Sequence, residues 1–424
     1  MTRLAELATR RTFRSLRVRN YRLFFFGQLV SVSGTWMQQV AQDWLVLRLS
    51  GRALPVGIAT ALQFLPVLLF GFWSGLAADR FDKRRLLVAA QSAMGVLALV
   101  LGVLVVTGSV RLWIVYLLAF LLGCATAVDM PARQAFVVEM VGPDQLVNAV
   151  SLNSAMFNSA RVVGPAAAGV LIAALGIAPA FFVNAVSYLA VIAALLLMDP
   201  SRLQRATPAP RSRGQVREGI RYVWATPVLR STLLLVAVVG TLSLNTRVVL
   251  PLLARFTFGG DASLYGTLAS VMAVGSVVGA LGVARRARPT RRLQLGAATA
   301  FGLSAILAAA APSVASELVA LCLLGGTSIV FLSTCNSTLQ LSASGPMRGR
   351  VMSLYGLLFL GTTPLGSLLV GWLAEHYGPR SGLVLAGAGA LAAAAVAAAA
   401  DALRRRQAAD AGQLELASRS GEAA

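Results

Sequence analysis

Two ionisable residues, Asp43 and Arg161, lie inside long apolar stretches of the sequence. Placing a charge in the hydrocarbon of a membrane is costly, so such residues are functional candidates by default. A carboxylate such as Asp43 can bind and release a proton when a conformational change alters its burial and its distance from a cation. Alternatively, Asp43 is an outer-edge carboxylate paired with Arg48 or Arg247. Arg161 needs an acid, a ring of carbonyls or an anionic ligand, and Asp43 is one possible partner.

Polar residues near these two positions form stripes along predicted helices. At roughly 3.6 residues per turn, each stripe falls on one helix face. Such stripes line water-filled cavities or join helices through hydrogen bonds, and both roles stay open for the glutamines and serines. The candidates for proton coupling or a substrate cavity are Asp43, Arg161, Gln39, Gln42 and Asn158. The first stripe contains Gln28, Ser31, Thr35, Gln38, Gln39, Gln42 and Asp43, and the second contains Ser151, Ser154, Asn158 and Arg161.

The composition indicates a membrane protein. Of 424 residues, 57% are hydrophobic and 12% are charged, whereas soluble domains have about 25% charged residues. The net charge of +21 comes from short basic segments between apolar runs, so we do not expect nucleic acid as a partner. With three cysteines in apolar runs and one histidine, neither a disulfide nor a metal site is expected. No pair of acids, His cluster or Ser–His set lies within the predicted spans, which argues against a membrane-embedded enzyme. No GxxxxGK[ST] loop occurs, so we do not expect the chain to hydrolyse ATP with such a loop.

The apolar runs predict an all-α membrane protein with twelve transmembrane helices, because each run is about 20 residues or longer. A basic, proline-bearing linker separates two six-helix bundles, and the C-terminal tail is expected to be disordered after Arg406. The predicted units are a tail at 1–20, a bundle at 21–198, a linker at 199–229 with a surface helix at 216–224, a bundle at 230–402 and a tail at 403–424. The predicted spans are 21–47, 54–77, 86–106, 112–130, 146–175, 179–198, 230–250, 264–284, 293–311, 316–339, 351–376 and 382–402.

The basic residues predict the orientation of the chain. With the N-terminus inside, about thirty of the 37 lysines and arginines fall in inside segments and about six in outside segments. Since cytoplasmic loops carry an excess of Lys and Arg, both termini are predicted to be cytoplasmic. The expected location is the cytoplasmic (inner) membrane, which the chain crosses many times.

The two halves resemble each other. The segment NAVSLNSAMFNSARVVGPAAAG begins at Asn148, and RVMSLYGLLFLGTTPLGSLLVG begins at Arg350. Duplicated halves of this kind place a binding site near the membrane midplane, between the repeats. At an offset of 202 positions, the matching pairs are Ser151 and Ser353, Leu152 and Leu354, Gly164 and Gly366, and Gly169 and Gly371.

The charged loop GLAADRFDKRR (Gly75–Arg85) resembles the signature loop of the major facilitator superfamily. It follows the pattern G-x-x-x-D-R-x-x-x-R-R, with one departure at Asp82, where many members carry glycine. The segments NYRLFFFGQLVSVSGTWMQQVAQDWLV, DMPARQAF and SARVVGPAAAG are similar to the branch of drug and siderophore exporters that includes enterobactin exporters and macrolide efflux proteins. The resemblance covers about residues 20–404 and implies the twelve-helix major facilitator fold.

The resemblance also implies a gate at the cytoplasmic side. Asp79 would face the partially positive N-terminal end of the eleventh span, which begins near Arg350. The arginines of the loop would pair with Asp129 or Glu139 near the fourth span and hold this side shut. Alternatively, the bases only set topology. The predicted gate residues are Gly75, Asp79, Arg80, Arg84 and Asp129.

The segment GPAAAG (Gly164–Gly169) resembles the fifth-span motif of proton-driven exporters in a shortened form. Its small residues, Gly164 and Gly169, allow close helix contact. Pro165 removes one backbone donor, which gives a helix bend. The family associates this motif with export.

The resemblance therefore implies a secondary transporter that exports a small amphipathic compound, such as a drug, siderophore or secondary metabolite, in exchange for protons. The proton gradient would drive it without a cofactor, and the fold can work as a monomer in the lipid bilayer. Two other interpretations stay open: an importer of a small organic anion or sugar on the same fold, and a non-transporting membrane sensor. The polar stripes argue against the sensor, because a protein that does not transport a compound does not need a hydrated cavity at its centre.

Overall fold

The computed structural model describes residues 13–204, 215–284 and 289–421. The described part of the chain is almost entirely helical and contains no β-strand, so the all-α prediction is confirmed. The helices are α1 (Arg19–Ser50), α2 (Leu54–Arg80), α3 (Lys83–Val106), α4 (Leu112–Val141), α5 (Leu146–Leu175), α6 (Ala178–Leu196), α7 (Gln215–Ala225), α8 (Pro227–Ser243), α9 (Thr246–Leu252), α10 (Ala262–Ala284), α11 (Arg291–Ala310), α12 (Val314–Ser342), α13 (Gly345–Gly361), α14 (Thr363–Tyr377) and α15 (Ser381–Gly421).

Within the described residues, eleven segments are long and apolar enough to cross a membrane. They coincide with the last eleven of the twelve predicted spans. The first predicted span corresponds to α1, which has 32 residues and is long enough to cross. Its polar stripe lowers its apolar character, so length and composition alone do not mark α1 as a span.

Two spans are interrupted helices. The seventh contains α8, α9 and a π-helical turn at Leu253–Thr257, and the eleventh contains α13 and α14. Pro364 lies in the first turn of α14, where its missing N–H is tolerated. A continuous helix would need that N–H, so Pro364 explains the break after α13.

The linker and the C-terminal tail both contain helix. In the linker, α7 is tied to α13 by the Glu218–Arg350 ion pair (2.7 Å). The Tyr222 hydroxyl also accepts the backbone N–H of Ser344 (3.1 Å), just before α13. The prediction of disorder after Arg406 is wrong, because α15 continues to Gly421. Alanine, leucine, glutamine and arginine in this segment are strong helix formers.

The two halves share one pattern of helix packing. In the first half, α2 packs on α4, α3 packs on α4 and α6, and α1 packs on α5 and α6. In the second half, α10 packs on α12, α11 packs on α12 and α15, and α8 packs on α13, α14 and α15. Each pair in the first half therefore has its counterpart in the second. This correspondence agrees with the duplication inferred from the sequence.

Two crossings, α5 with α10 and α2 with α14, make the most extensive contacts between the halves. We call the side of the bundle where α1 begins the inner side and the side where α1 ends the outer side. A Cβ atom added to Gly57 of α2 would overlap the carbonyl oxygen of Ser367, on α14. Similarly, a Cβ atom on Gly266 of α10 would lie 2.5 Å from the carbonyl oxygen of Pro165, on α5. Close backbone contact therefore joins the halves toward the outer side.

The predicted packing residues of α5 lie in close helix contacts, at Gly164 within the first half and at Gly169 between the halves. Gly164 faces α1, where an added Cβ atom would lie 2.5 Å from the Cβ atom of Trp36. At Gly169, the same test gives 3.2 Å to the Cα atom of Ser263, at the start of α10. Farther toward the inner side, the face of α5 that meets α10 carries Ser151, which is exposed. The close contacts between the halves thus lie toward the outer side, and the inner part of this face of α5 is exposed at Ser151.

We predict that Gly57→Ala lowers the thermal unfolding midpoint of the purified protein in detergent. The added methyl group must displace the backbone of α14, and overpacking of this kind typically costs about 1–3 kcal/mol. This loss outweighs the gain in helix propensity of up to about 1 kcal/mol.

The matched control is Gly71→Ala on the same helix, since an added Cβ atom at Gly71 meets nothing within 4 Å. Its unfolding midpoint should equal or exceed that of the wild type. Equal midpoints for the two variants would show that close contact at Gly57 is not required.

Candidate functional site between the two halves

A buried ion pair joins the halves near the outer side. Arg247 of α9 donates from Nε to Oδ2 of Asp43 (2.8 Å) and from Nη2 to Oδ1 (3.0 Å). The hydroxyl of Tyr265, on α10, donates to the same Oδ2 (3.0 Å). The Asp43 side chain is fully buried and that of Arg247 is 17% exposed. Of the partners that the sequence left open for Asp43, the structure selects Arg247.

Two glutamines, Gln42 on α1 and Gln63 on α2, complete this cluster. Gln63 accepts a hydrogen bond from Nη2 of Arg247 (3.0 Å), and Nε2 of Gln42 lies 3.5 Å from the same oxygen. Asp43, Gln42, Gln63, Arg247 and Tyr265 form what we call the outer cluster. Nη1 of Arg247 is buried without a hydrogen-bond partner among the described residues. The cluster therefore draws on four helices, two from each half.

The interruption of the seventh span positions Arg247. The span breaks at Leu244 and Asn245, and α9 restarts at Thr246. The side chain of Asn245 donates to the carbonyl of Thr241 (2.7 Å), which satisfies one of the free carbonyls at the end of α8. Arg247 thus lies in the first turn of a short helix that is directed at α1.

A second ion pair between the halves lies at the outer surface. Glu375 of α14 pairs with Arg52, in the loop before α2, and its other oxygen accepts the backbone N–H of Leu54 (2.7 Å). Glu375 therefore also caps the N-terminus of α2, where a negative charge is favourable. Arg52 is 69% exposed, so its contribution is much smaller than that of the buried pair.

The remaining candidates lie inward of the outer cluster, in the region between the halves that we call the central space. Gln39 lies one turn inward of Asp43 and is partly exposed. Arg161 lies with its guanidinium carbon 5.8 Å from the ring centroid of Trp36. Asn158, one turn farther inward on α5, donates to the carbonyl of Ser154 (2.8 Å). The structure therefore brings Gln42 and Asp43 into one cluster. It places Gln39, Arg161 and Asn158 farther toward the inner side.

Part of the first stripe joins helices within one half. Gln38 accepts from Asn184 of α6 (2.6 Å), and Gln28 accepts from Arg133 of α4 (3.3 Å). These are contacts between helices rather than cavity positions. Periodicity alone could not separate them from Gln39, because all of these glutamines share one broad face.

Two residues of the predicted cytoplasmic gate, Arg84 and Asp129, contact their own half. Arg84 donates to the carbonyls at the end of α6 (2.6 and 2.9 Å), which suits a cation at a helix C-terminus. Asp129 accepts from Gln91 (2.7 Å) and lies 3.5 Å from Arg133. A lysine rather than an arginine pairs with Glu139, since Lys83 contacts it at 2.7 Å. Gly75 is partly exposed, Arg80 is exposed, and the side chain of Asp79 lies outside the described residues.

Sequence reasoning missed two members of the outer cluster. Gln63 is a polar residue in the middle of an apolar span, which is the signal that could have found it. Tyr265 lies at the start of a span, where aromatic residues are common interface anchors, so its type gave no distinct signal. Among the described residues, no three of His, Cys, Asp and Glu come together as a metal site.

We predict that Arg247→Gln lowers the free energy of unfolding by about 3–5 kcal/mol, because it leaves a buried carboxylate without its cation. Combining it with Asp43→Asn should cost much less than the two single changes added together, since the double variant buries no charge. Chemical unfolding in detergent of the wild type, both single variants and the double variant measures this coupling.

As a comparison, Arg52→Gln removes a cation that is 69% exposed and should cost below about 1 kcal/mol. Strictly additive effects of Arg247→Gln and Asp43→Asn would contradict a direct interaction between the two side chains.

Comparisons with known proteins cover most of the chain. Residues 10–418 match the family described as transmembrane secretion effector. The multidrug efflux pump Tap of Mycolicibacterium fortuitum is 32% identical over 377 residues, which are 84% of this chain and 89% of that protein. The staphyloferrin A transporter of Staphylococcus aureus is 26% identical over 362 residues, with the same two coverages.

The fold also agrees with that of solved transporters. A bacterial homologue of the human lysosomal transporter Spinster, in an inward-facing and occupied conformation, matches with a TM-score of 0.71. It is 16% identical and the match covers 92% of this chain and 97% of that chain, so this likeness shows the fold alone. Because the family match spans nearly the whole sequence, the chain is a multi-pass membrane transporter of small molecules rather than an enzyme, and it belongs to the transmembrane secretion effector family of the major facilitator superfamily.

Proposed function

We propose that this chain exports a small amphipathic compound in exchange for protons, by alternating access. The observation that carries the proposal is the buried pair between Asp43 and Arg247, which come from different halves. An ionised carboxylate holds the halves together at the outer side. A proton on Asp43 removes the charge that Arg247 binds, so protonation and outer closure oppose each other.

This opposition links the proton to the motion of the halves. When the outer side is open, Asp43 is separated from Arg247 and takes a proton from the outer solution. When the outer side closes, Arg247 approaches Asp43 and displaces that proton. In this state we propose that the proton leaves toward the inner side, past the partly exposed Gln39. One cycle moves a proton in and allows a bound compound to move out.

The two ion pairs that join the halves among the described residues must break for the outer side to open. Separation of α9 from α1 breaks the pair of Arg247 with Asp43. Separation of α14 from α2 breaks the pair of Glu375 with Arg52 and uncaps α2. The glycine contacts at Gly57 must also part. Compound binding in the central space supplies the free energy for this step, as differential affinity for the two states requires.

The direction of transport is supported by the relatives, which include a multidrug efflux pump. The predicted orientation places both termini in the cytoplasm and the protein in the inner membrane. Import of a small organic anion on the same fold is the second candidate, because Arg161 suits an anion. The protein is proposed to work as a monomer, because one chain supplies both halves of the fold.

We predict that Asp43→Asn abolishes proton-driven export. The amide cannot hold Arg247 as an anion and cannot carry a proton through the cycle. Accumulation of a fluorescent lipophilic dye in efflux-deficient bacteria measures this, with and without a protonophore. Wild-type protein should lower accumulation in a protonophore-sensitive manner, and Asp43→Asn at equal expression should match the empty vector.

The control is Asp144→Asn, which removes an exposed carboxylate on the loop before α5 and should export like the wild type. Protonophore-sensitive export by Asp43→Asn would show that another group carries the proton. A third outcome is that the protonophore does not affect export by the wild type, while Asp43→Asn exports less than the wild type. That result would show that the ion pair is needed for export and that proton coupling is not.

A further inference from the structure

Arg161 points to the centre of the bundle rather than to the lipid. On α5, Gly164 faces α1 and Pro165 faces α10. Val163 and Val170 are exposed on the opposite face, as lipid-facing valines would be. At roughly 3.6 residues per turn, Arg161 lies between the rows that face α1 and α10, and away from the two valines. It therefore lies at the seam between the halves, inward of the outer cluster.

Arg161 has no anionic partner among the described residues. Its one described contact is with the ring of Trp36. Asp43 is engaged by Arg247, and Asp129 by Arg133. A ring contact uses the flat face of the guanidinium and leaves its in-plane N–H groups available for hydrogen bonds. The guanidinium N–H groups of Arg161 thus form no hydrogen bond with an acid among the described residues.

The opposite wall of the central space does not compensate this charge. The helix that faces Arg161 from the second half, α10, contains no charged residue over its full length. The acids that the structure describes in the other spans of that half lie at the ends of those spans. Glu317, in the first turn of α12, and Glu375, near the end of α14, are at the outer end, and Asp401 is at the inner end of the twelfth span, where Arg291 pairs with it (2.7 Å). Among the described residues, the positive charge of Arg161, on the first half, is therefore not balanced by an acid of the second half at the same depth.

The fold itself does not require this charge. At the constant offset of 202 between the halves, the counterpart of Arg161 is Thr363, while the neighbouring Gly164 is matched by Gly366. The glycine that permits close packing is kept in both halves, whereas the arginine is present in one. An uncompensated cation is costly in this environment, so its retention without a structural partner points to a ligand.

We infer that Arg161 receives an anionic group of the transported compound, so that the substrate is an amphipathic anion such as a carboxylate. This inference rests on the proposed function, because it names the substrate class of that site. A carboxylate accepts two parallel N–H groups from a guanidinium. Gln39 and Asn158 flank the position with further polar groups, and Trp36 offers an apolar surface to the rest of the compound.

Binding to the purified full-length protein in detergent tests the inference. The probes are two dyes on the same xanthene ring system, the anionic carboxyfluorescein and the cationic tetramethylrhodamine ethyl ester, followed by fluorescence anisotropy. Wild-type protein should bind carboxyfluorescein more tightly than the cationic ester. Arg161→Gln should weaken carboxyfluorescein binding by about tenfold to a hundredfold, as loss of a charge-assisted hydrogen bond predicts, with little effect on the ester.

Two further variants separate charge from folding. Arg161→Lys keeps the positive charge and should retain part of the carboxyfluorescein affinity. Arg202→Gln removes a charge from a side chain that is 68% exposed, on the linker, and should bind like the wild type. The inference is overturned if the wild type prefers the cationic ester or does not bind carboxyfluorescein. It is equally overturned if Arg161→Gln binds carboxyfluorescein as the wild type does.

Export of the same two dyes from efflux-deficient cells separates this inference from the proposed function. Carboxyfluorescein is loaded as its membrane-permeable diacetate and is released inside the cell. Binding that depends on Arg161, without protonophore-sensitive export, supports the anion site and contradicts proton-driven export. Protonophore-sensitive export of the cationic ester alone supports the proposed function and overturns the anion site.

Discussion

The cost of a charge in hydrocarbon is the constraint on which the arrangement of this protein depends. The charged groups that are buried near the inner side find partners in their own half, as Asp129 does with Arg133 and Arg84 with the end of α6. Asp43 finds its partner in the other half. Contacts of the first kind can persist throughout a motion of rigid halves. The pair with Arg247 cannot, which makes it the buried charge interaction that distinguishes one arrangement of the halves from another, beside the exposed pair of Arg52 with Glu375.

The sequence predicts the fold because the features that define it are local. Span length, apolar character and the repeat around Gly164 are all readable from short segments, and the cost of burial singles out Asp43 and Arg161. Partner choice is not local. Arg48 and Arg247 were equal candidates for Asp43, and only the break before α9 decides between them. Likewise, no sequence pattern shows that helix-end carbonyls bind Arg84, because they belong to the backbone of another helix.

The two halves share a packing pattern but not a charge pattern. Their helix contacts correspond pair by pair, and the glycines at 164 and 366 are kept. The charge at Arg161 has no counterpart in the second half, where Thr363 occupies the corresponding position. The second half instead supplies Arg247 and Tyr265, both close to the outer side. Duplication therefore explains the scaffold, whereas the chemistry of the central space comes from differences between the copies.

The contacts at Gly57 and Gly266 join backbone to backbone, so their geometry does not depend on the side chains that line the central space. Substitutions of side chains such as Gln39 and Asn158 would therefore leave these backbone contacts between the halves in place. On the proposed function, substitutions in the central space could change which compounds bind without altering the contacts between the halves. Such a separation helps to explain how relatives with a common architecture come to serve chemically different cargoes.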